Sequence, residues 1–459
     1  MAAPPSPGST GTAVVWFRRD LRLSDHPALS AALARFDRVI PLFIWDPVLV
    51  AASGPSRLAF LSGCVKSLGD SLRGQLVIRS GQPERMVVEA AAATGAGSVF
   101  VTADFGPYGS ERDGRVASAL SEQGAELVGV DSPYAVEPGS LMTSTGTPFQ
   151  VFSPFARAWR AHGWPAPDGR PDLRRVDRGG LADGESPGHL TASAALPVSG
   201  EEAAHDRLDA FLRHDADRYG RERDRPDLDS TSRLSPYLRF GCLHPRQILH
   251  RLAPGHAGHD RFETELCWRE FYSDVLWHRP DSARRAYRPE WREFPSDHGG
   301  DADERFRAWT EGRTGYPIVD AGMRQLLAEG WLPNRVRMIT ASFLVKDLHL
   351  DWRRGARWYM RHLVDGDLAS NQLNWQWVAG SGNDAAPYFR VFNPVTQGRK
   401  FDPQGDYVRR WLPELSSVPT AHVHEPWKSE VPPAAYPAPI VEHAVERQEA
   451  LARYGRLRR

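Results

Sequence analysis

The chain has 459 residues, of which 41% are apolar, 25% charged and 10% aromatic, and its formal net charge is +0. This length is enough for two or three globular domains, and this composition excludes collagen-like, coiled-coil and wholly disordered chains. Zero net charge also excludes a generally basic nucleic-acid coat, so any binding of anions must be local.

Signals for membrane insertion, secretion and metal binding are missing from the sequence. No run approaches the roughly 18 apolar residues that a membrane helix needs, and residues 1–11 lack the charged start and apolar centre of a signal peptide. We therefore expect a disordered N-terminus over residues 1–11 and a cytoplasmic protein that does not contact membranes. Cys64, Cys242 and Cys267 have neither CxxC nor Cys/His spacing, so we expect no disulfide framework and no metal site.

Short β-branched or aromatic runs alternate with helical stretches in the first part of the chain. The predicted strands cover residues 14–17, 39–44, 76–79, 99–102 and 127–130, and the predicted helices cover residues 28–36, 57–72, 83–94 and 111–123. This alternation predicts a Rossmann-like parallel sheet over residues 12–135, with ligands at the carboxyl ends of the strands. Arg18, Arg19 and Asp20 follow the first strand instead of a GxGxxG turn, which argues against a pyrophosphate there.

The rest of the chain has a different pattern. Residues 136–203 include a stretch rich in Pro, Gly, Asp, Arg and Ser, which is typical of an interdomain linker. Helical patterns then dominate residues 204–459, at positions 204–219, 244–251, 262–277, 305–310, 318–327, 334–350, 357–363 and 445–459. The predicted fold class is therefore α/β plus all-α, a Rossmann-like domain followed by a helical domain.

Polar groups share one face of the helix that is predicted to follow Pro333. Asn334, Arg337 and Met338 stand at i, i+3 and i+4. An amide, a guanidinium and a thioether on one stripe suit a binding site better than an ordinary core. The alternative is an interdomain salt bridge with a methionine that fills a gap.

Acidic, amide and indole side chains also line up in two further segments. Glu265 and Trp268 lie one turn apart in ELCWREFY, where they form either a structural ion pair under a packed ring or a proton donor beside a stacking platform. Asp367, Asn371 and Trp375 stand at i, i+4 and i+8 of a possible helix. Such a line of side chains suits a polar ring system, whose edge forms hydrogen bonds and whose face stacks on an aromatic ring.

Small hydroxyl residues open the segment TSRLSPYLRFG, which begins at Thr231. Such residues bind phosphate at the start of a helix, although a plain helix cap is the common alternative. A phosphate cradle, an edge-binding amide, paired acids and stacking indoles together indicate a dinucleotide with a large ring. A flavin fits this set better than a nicotinamide.

Seven segments, in this order, resemble the DNA photolyases of microbes, and more narrowly the cyclobutane pyrimidine dimer group of the photolyase and cryptochrome family. They are FRRDLRLSDHPAL, TSRLSPYLRFG, ELCWREFY, GRTGYPIVDAGMRQL, NRVRMITASFLVKDLHLDW, DGDLASNQLNWQW and FNPVTQGRKFDPQGDYVRRWLPEL. The resemblance runs from about residue 12 to nearly the end of the chain. It implies an N-terminal α/β domain and a C-terminal helical domain that binds FAD in a bent shape, in agreement with the two patterns above.

The resemblance also assigns residues to FAD. It implies that the phosphates are bound by Tyr219, Thr231, Ser232, Arg233, Leu234 and Ser235, and that the flavin and adenine are surrounded by Trp268, Arg269, Asn334, Arg337, Asp365, Asp367 and Asn371. Asn371 would face N5 of the isoalloxazine, where an amide can bond a protonated nitrogen without adding charge. Many signalling cryptochromes lack this asparagine, so it favours repair.

The implied substrate is UV-damaged DNA with a cyclobutane pyrimidine dimer, which photolyases bind flipped out of the duplex. The implied dimer contacts are Glu265, Trp268, Asn334, Met338 and Trp377, and the implied phosphate contacts are Arg223, Arg269, Arg335 and Arg390. The implied reaction is light-driven electron transfer from FADH⁻ to the dimer, splitting of the ring and return of the electron.

The family reduces its flavin through a relay of tryptophans. Trp375 and Trp352 match the first two members, whereas the third position carries Ser296 in an altered loop. Trp291 is the nearest substitute. We expect this departure to change the surface end of the relay but not repair, which needs only reduced flavin.

Many photolyases bind a second, light-harvesting pigment in the α/β domain. GPSRLAFLSGC and DFGPYGSERD resemble the group that binds 8-hydroxy-5-deazaflavin, which implies a site near Asp46, Arg57, Asp104 and Arg239. The alternatives are methenyltetrahydrofolate and an empty pocket.

Two rivals come from the same family. A cryptochrome-like blue-light receptor is disfavoured by Asn371, by the DNA-facing residues and by the lack of a signalling tail after Arg459. A photolyase for (6-4) photoproducts would need a histidine where Asn334 stands, because that reaction requires proton transfer. A flavin enzyme that acts on small molecules is a more distant alternative. We expect a monomeric repair enzyme for cyclobutane pyrimidine dimers.

Overall fold

The computed structural model describes residues 11–185, 187, 190–383 and 389–457. Except for Gly11, the N-terminal segment that is expected to be disordered lies outside this part of the chain. Within it, no helix has both the length and the apolar character that a membrane span requires.

Five parallel strands form one sheet in the N-terminal half. They are β1 (Thr12–Phe17), β2 (Arg38–Trp45), β3 (Val77–Ser80), β4 (Ser98–Val101) and β5 (Glu126–Gly129), in the sheet order β3-β2-β1-β4-β5. The helices among them are α1 (Pro27–Arg35), α2 (Pro47–Ala52), α3 (Pro55–Ser71), α4 (Pro83–Thr94) and α5 (Pro107–Ser121). Nearly every residue of β1 and β2 is buried, as expected for a parallel sheet that helices cover on both faces. The predicted Rossmann-like sheet is confirmed.

The strand order reverses between β1 and β4, which opens a crevice at the carboxyl ends of the strands. Asp20 lies there and accepts hydrogen bonds from the backbone N–H of Arg18 (2.7 Å) and from Thr102 Oγ1 (2.6 Å). Burial favours the neutral acid, but the neighbouring His26 ring and these bonds lower the pKa of Asp20 well below its ordinary value. After β1, the chain therefore has the charged side chain of Asp20 and not a glycine-rich turn.

The connection between the halves packs against the hydrophobic core in its described part, residues 136–185, 187 and 190–203. It contains α6 (Phe152–His162), a helix that the sequence pattern did not predict. Glu270 of the second half accepts hydrogen bonds from the backbone N–H of Ala135 (2.6 Å) and from the indole of Trp159 (2.6 Å). One buried carboxylate thus fastens both the end of the sheet domain and α6 to the helical half.

Helices make up the second half. They are α7 (Glu201–His214), α8 (Tyr219–Glu222), α9 (Ser235–Phe240), α10 (Pro245–Leu249), α11 (Ala257–His278), α12 (Gly300–Thr310), α13 (Pro317–Glu329), α14 (Asn334–Lys346), α15 (Trp352–His362), α16 (Leu368–Ala379), α17 (Pro394–Phe401), α18 (Asp406–Trp411) and α19 (His443–Leu457). Proline begins α10, α13 and α17, where its missing N–H removes no helical bond. Among the described residues of this half there is no β-strand, so the all-helical prediction is confirmed.

The two halves meet closely at Gly241, which follows α9. A Cβ atom at Gly241 would lie 2.1 Å from the carbonyl oxygen of Arg19, and the residue has a φ of +66°, so only glycine fits without strain. Next to it, the N–H of Leu21 donates to the carbonyl of Phe240 (3.1 Å). One hydrophobic cluster contains residues of both halves, and all three cysteines are buried and free.

Candidate functional site

A cavity of about 460 Å³ lies in the helical half among α11, α14 and α16, within the size range of small-molecule sites. The residues predicted for a site that line it are Tyr219, Arg223, Thr231, Ser232, Arg233, Ser235, Arg239, Glu265, Trp268, Arg269, Asn334, Arg337, Met338, Asp365, Asp367, Asn371, Trp375 and Trp377. Leu234, Arg335, Trp352 and Arg390 are outside its described lining. The side chain of Leu234 is buried in the hydrophobic core instead.

Helix α14 supplies one wall of this cavity. Arg337 donates to the carbonyl of Leu332 (2.9 Å) and from Nη2 to Oδ2 of Asp365 (2.7 Å). Asn334 Nδ2 lies 3.8 Å from the sulfur of Met338, one turn along the same face. Because the Arg337–Asp365 pair lies wholly within the helical half, the alternative of an interdomain salt bridge is wrong for this stripe.

Two acids, Asp365 and Asp367, precede α16, and each forms an ion pair with an arginine. Asp365 is buried, and its Oδ1 atom has no hydrogen-bond partner among the described residues. Asp367 accepts the N–H of Ser370 (3.1 Å) as the helix cap and lies 3.3 Å from Arg19 Nη2. Burial raises the pKa of Asp367, but Arg19 and Arg239 outweigh that effect and bring it below its ordinary value. Both acids therefore offer oxygen acceptors at the cavity wall.

The polar line predicted along α16 is present, and Asn371 is oriented by its neighbours. Its amide nitrogen donates to the carbonyl of Ala356 (3.1 Å) and to Gln372 Oε1 (3.0 Å). These two bonds use both amide protons, so the side chain offers the cavity its oxygen, which can accept an N–H. One turn later, the ring of Trp375 packs at 5.0 Å from Tyr359, with its indole nitrogen buried and unbonded within the described chain.

An ion-pair cluster lies at Glu265 on α11. Arg223 pairs with Glu265 Oε1, and Arg261 lies 3.1 Å from the same oxygen. Burial opposes the charge on Arg223, but Glu265 more than compensates, and the pKa of Arg223 is raised. The pKa of Tyr219 is also raised, by burial and by the charge of Glu265, so its hydroxyl stays protonated. The predicted carboxylate is therefore part of a charged network at the cavity wall.

The next turn of α11 carries Trp268 and Arg269. The ring of Trp268 stacks on Phe152 of α6, with centroids 3.7 Å apart and planes inclined by 5°. The guanidinium of Arg269 lies 3.3 Å from the carbonyl oxygens of both Pro133 and Leu238. The sequence did not indicate Phe152, because it lies in the segment predicted to be a linker.

The segment of hydroxyl residues that begins at Thr231 and leads into α9 is hydrogen-bonded by two neighbouring side chains. Arg207 donates to the carbonyl of Ser232 (2.8 Å), and the indole of Trp331 donates to Ser235 Oγ (3.2 Å). The guanidinium of Arg233 lies 4.4 Å from the centroid of the Trp331 ring. Trp331 and Arg207 thus fix the predicted phosphate segment, and the sequence motifs contained neither residue.

The other two predicted phosphate contacts lie beside the cavity. Arg335 pairs with Asp224 (2.8 Å) and lies 4.3 Å from the centroid of the Phe401 ring. Arg390 lies 5.9 Å from the centroid of the Trp377 ring, which lines the cavity. Both guanidinium groups are therefore placed near the cavity without entering its lining.

The predicted relay residues divide between two places. Trp375 lines the large cavity, where its ring is 6.2 Å from that of Trp309. Trp352, Trp291 and Ser296 line a second cavity of about 320 Å³. The substitute proposed for the third relay member therefore shares a cavity with the second member.

Comparison with known proteins identifies the family. Residues 13–172 match the family model described as DNA photolyase, and residues 262–456 match the FAD binding domain of DNA photolyase. The chain is 43% identical over 461 residues to the deoxyribodipyrimidine photo-lyase of Streptomyces griseus. This alignment covers 97% of this chain and 99% of that protein. The chain belongs to the DNA photolyase family.

Solved photolyase structures share the whole architecture. A bacterial class III photolyase from Agrobacterium tumefaciens superposes with a TM-score of 0.90, at 36% identity and over 100% of both chains. An archaeal photolyase from Sulfolobus tokodaii, solved with two FAD molecules, superposes with a TM-score of 0.82, at 31% identity, over 97% of this chain and 100% of that chain. The likeness therefore includes both the sheet domain and the helical domain.

The large cavity of this photolyase fits FAD. The buried, unpartnered Oδ1 of Asp365 and the open amide oxygen of Asn371 are acceptors for hydroxyl and N–H donors, which a flavin dinucleotide carries. Arginine and hydroxyl groups of the segment before α9 suit its phosphates. The residues present thus complement both the polar edges and the anionic part of the cofactor.

The acids expected at a second pigment lie at the strand ends of the photolyase sheet domain. Asp46 caps α2 through the N–H of Val48 (3.0 Å) and accepts the hydroxyl of Tyr108 (2.7 Å). Asp104 lies 3.2 Å from Arg112 Nη2. Burial raises the pKa of Asp104, but the nearby arginines lower it to about 2, so it is ionised.

The two basic residues expected there lie against the helical half. Arg57 donates to the carbonyl of Met360, and also to that of Ala52 (3.0 Å). Arg239 Nε donates to the carbonyl of Gly366 (2.9 Å), and a Cβ atom at Gly366 would lie 2.5 Å from Arg57. Both guanidinium groups thus border one loop, and Arg239 also lines the large cavity.

Within the described ranges, one group of side chains of the types that bind metals occurs, although we expect no metal. Asp217 lies 3.4 Å from Nε2 of both His256 and His259. The N–H of Ala253 donates to Nδ1 of His259 (2.8 Å), so the neutral ring carries its proton on Nε2, the atom that faces Asp217. A protonated Nε2 offers no free lone pair to a metal ion, and this atom has no hydrogen-bond partner among the described residues.

Proposed function

We propose that this protein is a light-dependent deoxyribodipyrimidine photo-lyase that uses FAD to split cyclobutane pyrimidine dimers in DNA. The observation that carries the proposal is that one cavity is lined by two different sets of residues. The first set suits a flavin dinucleotide and includes Arg337, Asp365 and Asn371. The second set suits a flipped pyrimidine pair and includes Glu265 and Trp377.

The first set binds and orients the cofactor. When bound and reduced, FAD supplies the light-excited electron that the reaction needs. Asn371 presents its amide oxygen to the cavity, because its amide protons are donated to Ala356 and Gln372. This oxygen can accept a hydrogen bond from a protonated nitrogen of the flavin without adding charge to the site. The Arg337–Asp365 pair adds a fixed guanidinium and a carboxylate oxygen that needs a donor.

The second set binds the lesion. Trp377 and Met338 supply flat and soft apolar contacts, and Glu265 and Asn334 supply polar atoms for the base edges. A damaged pyrimidine pair is poorly stacked in the duplex, which lowers the free energy needed to extrude it. Arg223, Arg269, Arg335 and Arg390 are the proposed phosphate contacts, a small set of basic residues in a chain with zero net charge.

A second pigment near the strand ends of the sheet domain is part of this proposal. Asp46 accepts the hydroxyl of Tyr108 there and Asp104 pairs with Arg112, so two acids of the expected pigment site have defined positions at the strand ends. We favour 8-hydroxy-5-deazaflavin over methenyltetrahydrofolate. Reconstitution with each pigment in turn, followed by absorption spectroscopy after gel filtration, tests the choice. A retained visible band only with the folate would reverse it.

The test of the main proposal uses the purified, FAD-loaded and reduced protein. A duplex with one cyclobutane thymine dimer is incubated in blue light or in darkness, and restored thymines are measured by chromatography. We expect repair in light only. The matched substrate is the same duplex with a (6-4) photoproduct, which should not be repaired because Asn334 supplies no proton-transferring group. Equal repair in darkness, or repair of only the (6-4) duplex, would overturn the proposal.

A further inference from the structure

A short segment beside the cavity carries one of the proposed phosphate contacts. In this segment, residues 389–392, Phe389, Arg390 and Phe392 line a small cavity of about 40 Å³, whose lining also includes Trp377. Within this segment, the guanidinium of Arg390 lies 5.9 Å from the centroid of the Trp377 ring. The position of the segment backbone therefore determines the position of the Arg390 Cα atom relative to Trp377, the proposed wall of the lesion pocket.

Helix α14 anchors this segment at two points on one face. The ammonium of Lys346 donates a hydrogen bond to the carbonyl oxygen of Arg390 and lies 4.3 Å from the centroid of the Phe389 ring. One turn earlier, Ser342 Oγ accepts the N–H of Phe392 (3.4 Å). Since residues four apart on a helix share a face, the two side chains act together on one strip of backbone.

The same helix begins in the large cavity. Asn334 and Met338 line that cavity, and Lys346 lies two turns beyond Met338. A single helix thus carries the proposed lesion contacts at its start and the anchor of the Arg390 segment at its end. The distance between the two is set by the helix and not by a flexible loop.

Burying a lysine at this position destabilises the fold unless its ammonium forms a compensating hydrogen bond, such as the one to the Arg390 carbonyl. Lys346 is 4% exposed, and burial lowers its pKa to about 7, with Asp347 favouring the charged form and Arg390 opposing it. Arg288 and Tyr454 line the same small cavity. An apolar residue of similar length would fill the space without desolvating an amine, so packing alone does not account for the lysine.

We propose that Lys346 is a positioning residue for DNA binding: it holds the backbone of Arg390 so that the Arg390 guanidinium meets a phosphate of the strand that carries the flipped dimer. This inference rests on the proposed function, because it concerns the DNA that the proposed enzyme binds. It adds a residue that touches neither DNA nor FAD and acts through Arg390.

The test is a double-mutant cycle on the full-length, FAD-loaded protein. The dissociation constant for a duplex with one cyclobutane thymine dimer is measured against salt concentration at pH 6, where Lys346 carries its proton, for the wild type, Lys346→Met, Arg390→Ala and the double variant. We expect each single variant to weaken binding about tenfold, the size of one charge-assisted hydrogen bond, and to reduce the salt slope by about 1. The double variant should be no weaker than Arg390→Ala alone, because both changes remove the same contact.

Two variants separate positioning from a general loss of structure or charge. Lys66→Met removes an exposed lysine paired with Asp70 and should bind as the wild type does. Lys346→Gln keeps a donor for the Arg390 carbonyl without the charge and should retain most of the affinity and the full salt slope. If Lys346→Met loses FAD, the comparison rests on Lys346→Gln, where a lost salt slope would overturn the inference.

The outcomes also separate this inference from the proposed function. If the wild type binds damaged and undamaged duplexes equally, the proposed function fails. If the wild type prefers the damaged duplex but Lys346→Met keeps its affinity and salt slope, only the positioning role fails. Additive losses in the double variant would likewise overturn it, because they would show that the two residues act independently.

Discussion

Arg337 and Asp365 form an ion pair, with 2.7 Å between Nη2 and Oδ2, that joins the first turn of α14 to the loop before α16. The second oxygen of Asp365 is buried and has no hydrogen-bond partner among the described residues. Leaving a buried acceptor unbonded costs roughly 1–3 kcal/mol. A ligand that donates a hydrogen bond to this oxygen offsets that cost, so we expect this pair to contribute strongly to FAD binding.

Asp365→Asn should therefore weaken FAD binding by about tenfold or more, because it removes the charge that holds Arg337 and one acceptor for the ligand. The dissociation constant can be measured from the fluorescence of released FAD. Asp303→Asn is the matched control, since Asp303 pairs with Arg354 at 2.7 Å but its side chain is 62% exposed. Equal FAD affinities of the two variants would contradict this role for Asp365.

Glu265→Ala should lower the number of dimers split per absorbed photon more than it lowers DNA affinity. The change removes a proposed contact to the dimer, but it also leaves Arg223 and Arg261 without their shared carboxylate, which adds positive charge near the DNA. Quantum yield and dissociation constant are measured on the same damaged duplex. Glu263→Ala, which breaks an exposed pair with Arg160, should change neither.

Arg390→Ala should show the opposite profile, with weaker binding and a salt slope reduced by about 1, while dimers that are bound are split normally. If Glu265→Ala and Arg390→Ala gave the same pattern of losses, the division between lesion contact and phosphate contact would be wrong.

Local patterns in the sequence were enough to predict the fold class. The predicted strands fall within one or two residues of β1 to β5, because each is a short apolar run between turn residues. Helix α6 was missed although its apolar residues have helical spacing, with Phe155 and Trp159 buried one turn apart, because it lies in the segment that was assigned to the linker. The Trp159 indole bonds Glu270, a residue 111 positions away. Contacts between residues so far apart in the sequence hold α6 in place, and a local sequence pattern does not reveal them.

The site was predictable to a similar degree. Helical spacing predicted which side chains of α14 and of α16 share a face, and the cavity brings those faces together. Long-range partners were not predictable: Arg19 of the sheet domain lies 3.3 Å from Asp367 of the helical half, 348 residues later. Phe152 likewise stacks on Trp268 from a segment that was predicted to be a linker. Such partners require the fold before they can be named.

We propose that the tryptophan relay implied by the family resemblance operates here, so light-driven reduction of bound FAD should be slower when its tryptophans are replaced. Trp375→Phe and Trp352→Phe should slow the absorbance change of the flavin several-fold, in the presence of an external thiol. Trp291→Phe should have a similar effect, because Trp291 lines the same cavity as Trp352 and stacks on Phe294 at 4.8 Å. A rate for Trp291→Phe equal to that of Trp427→Phe, the control, would remove Trp291 from the relay.

Lys346 should make the stability of the protein depend on pH above neutrality. Burial lowers the pKa of Lys346 from 10.5 to about 7, so the folded state holds this proton less tightly than the unfolded state does. The contribution of Lys346 to the free energy of unfolding is therefore lowest below pH 7 and rises between pH 7 and 10.5, by at most about 1.4 kcal/mol for each pH unit.

Urea unfolding of the wild type and of Lys346→Met across this window measures the effect. The wild type should gain stability relative to the variant as the pH rises from 7 to 10, because only the wild type must desolvate the ammonium. Asp347, whose pKa burial raises to about 6, titrates below this window and is present in both proteins. A difference between the two proteins that stays constant from pH 7 to pH 10 would show that the Lys346 pKa is not lowered in the folded state.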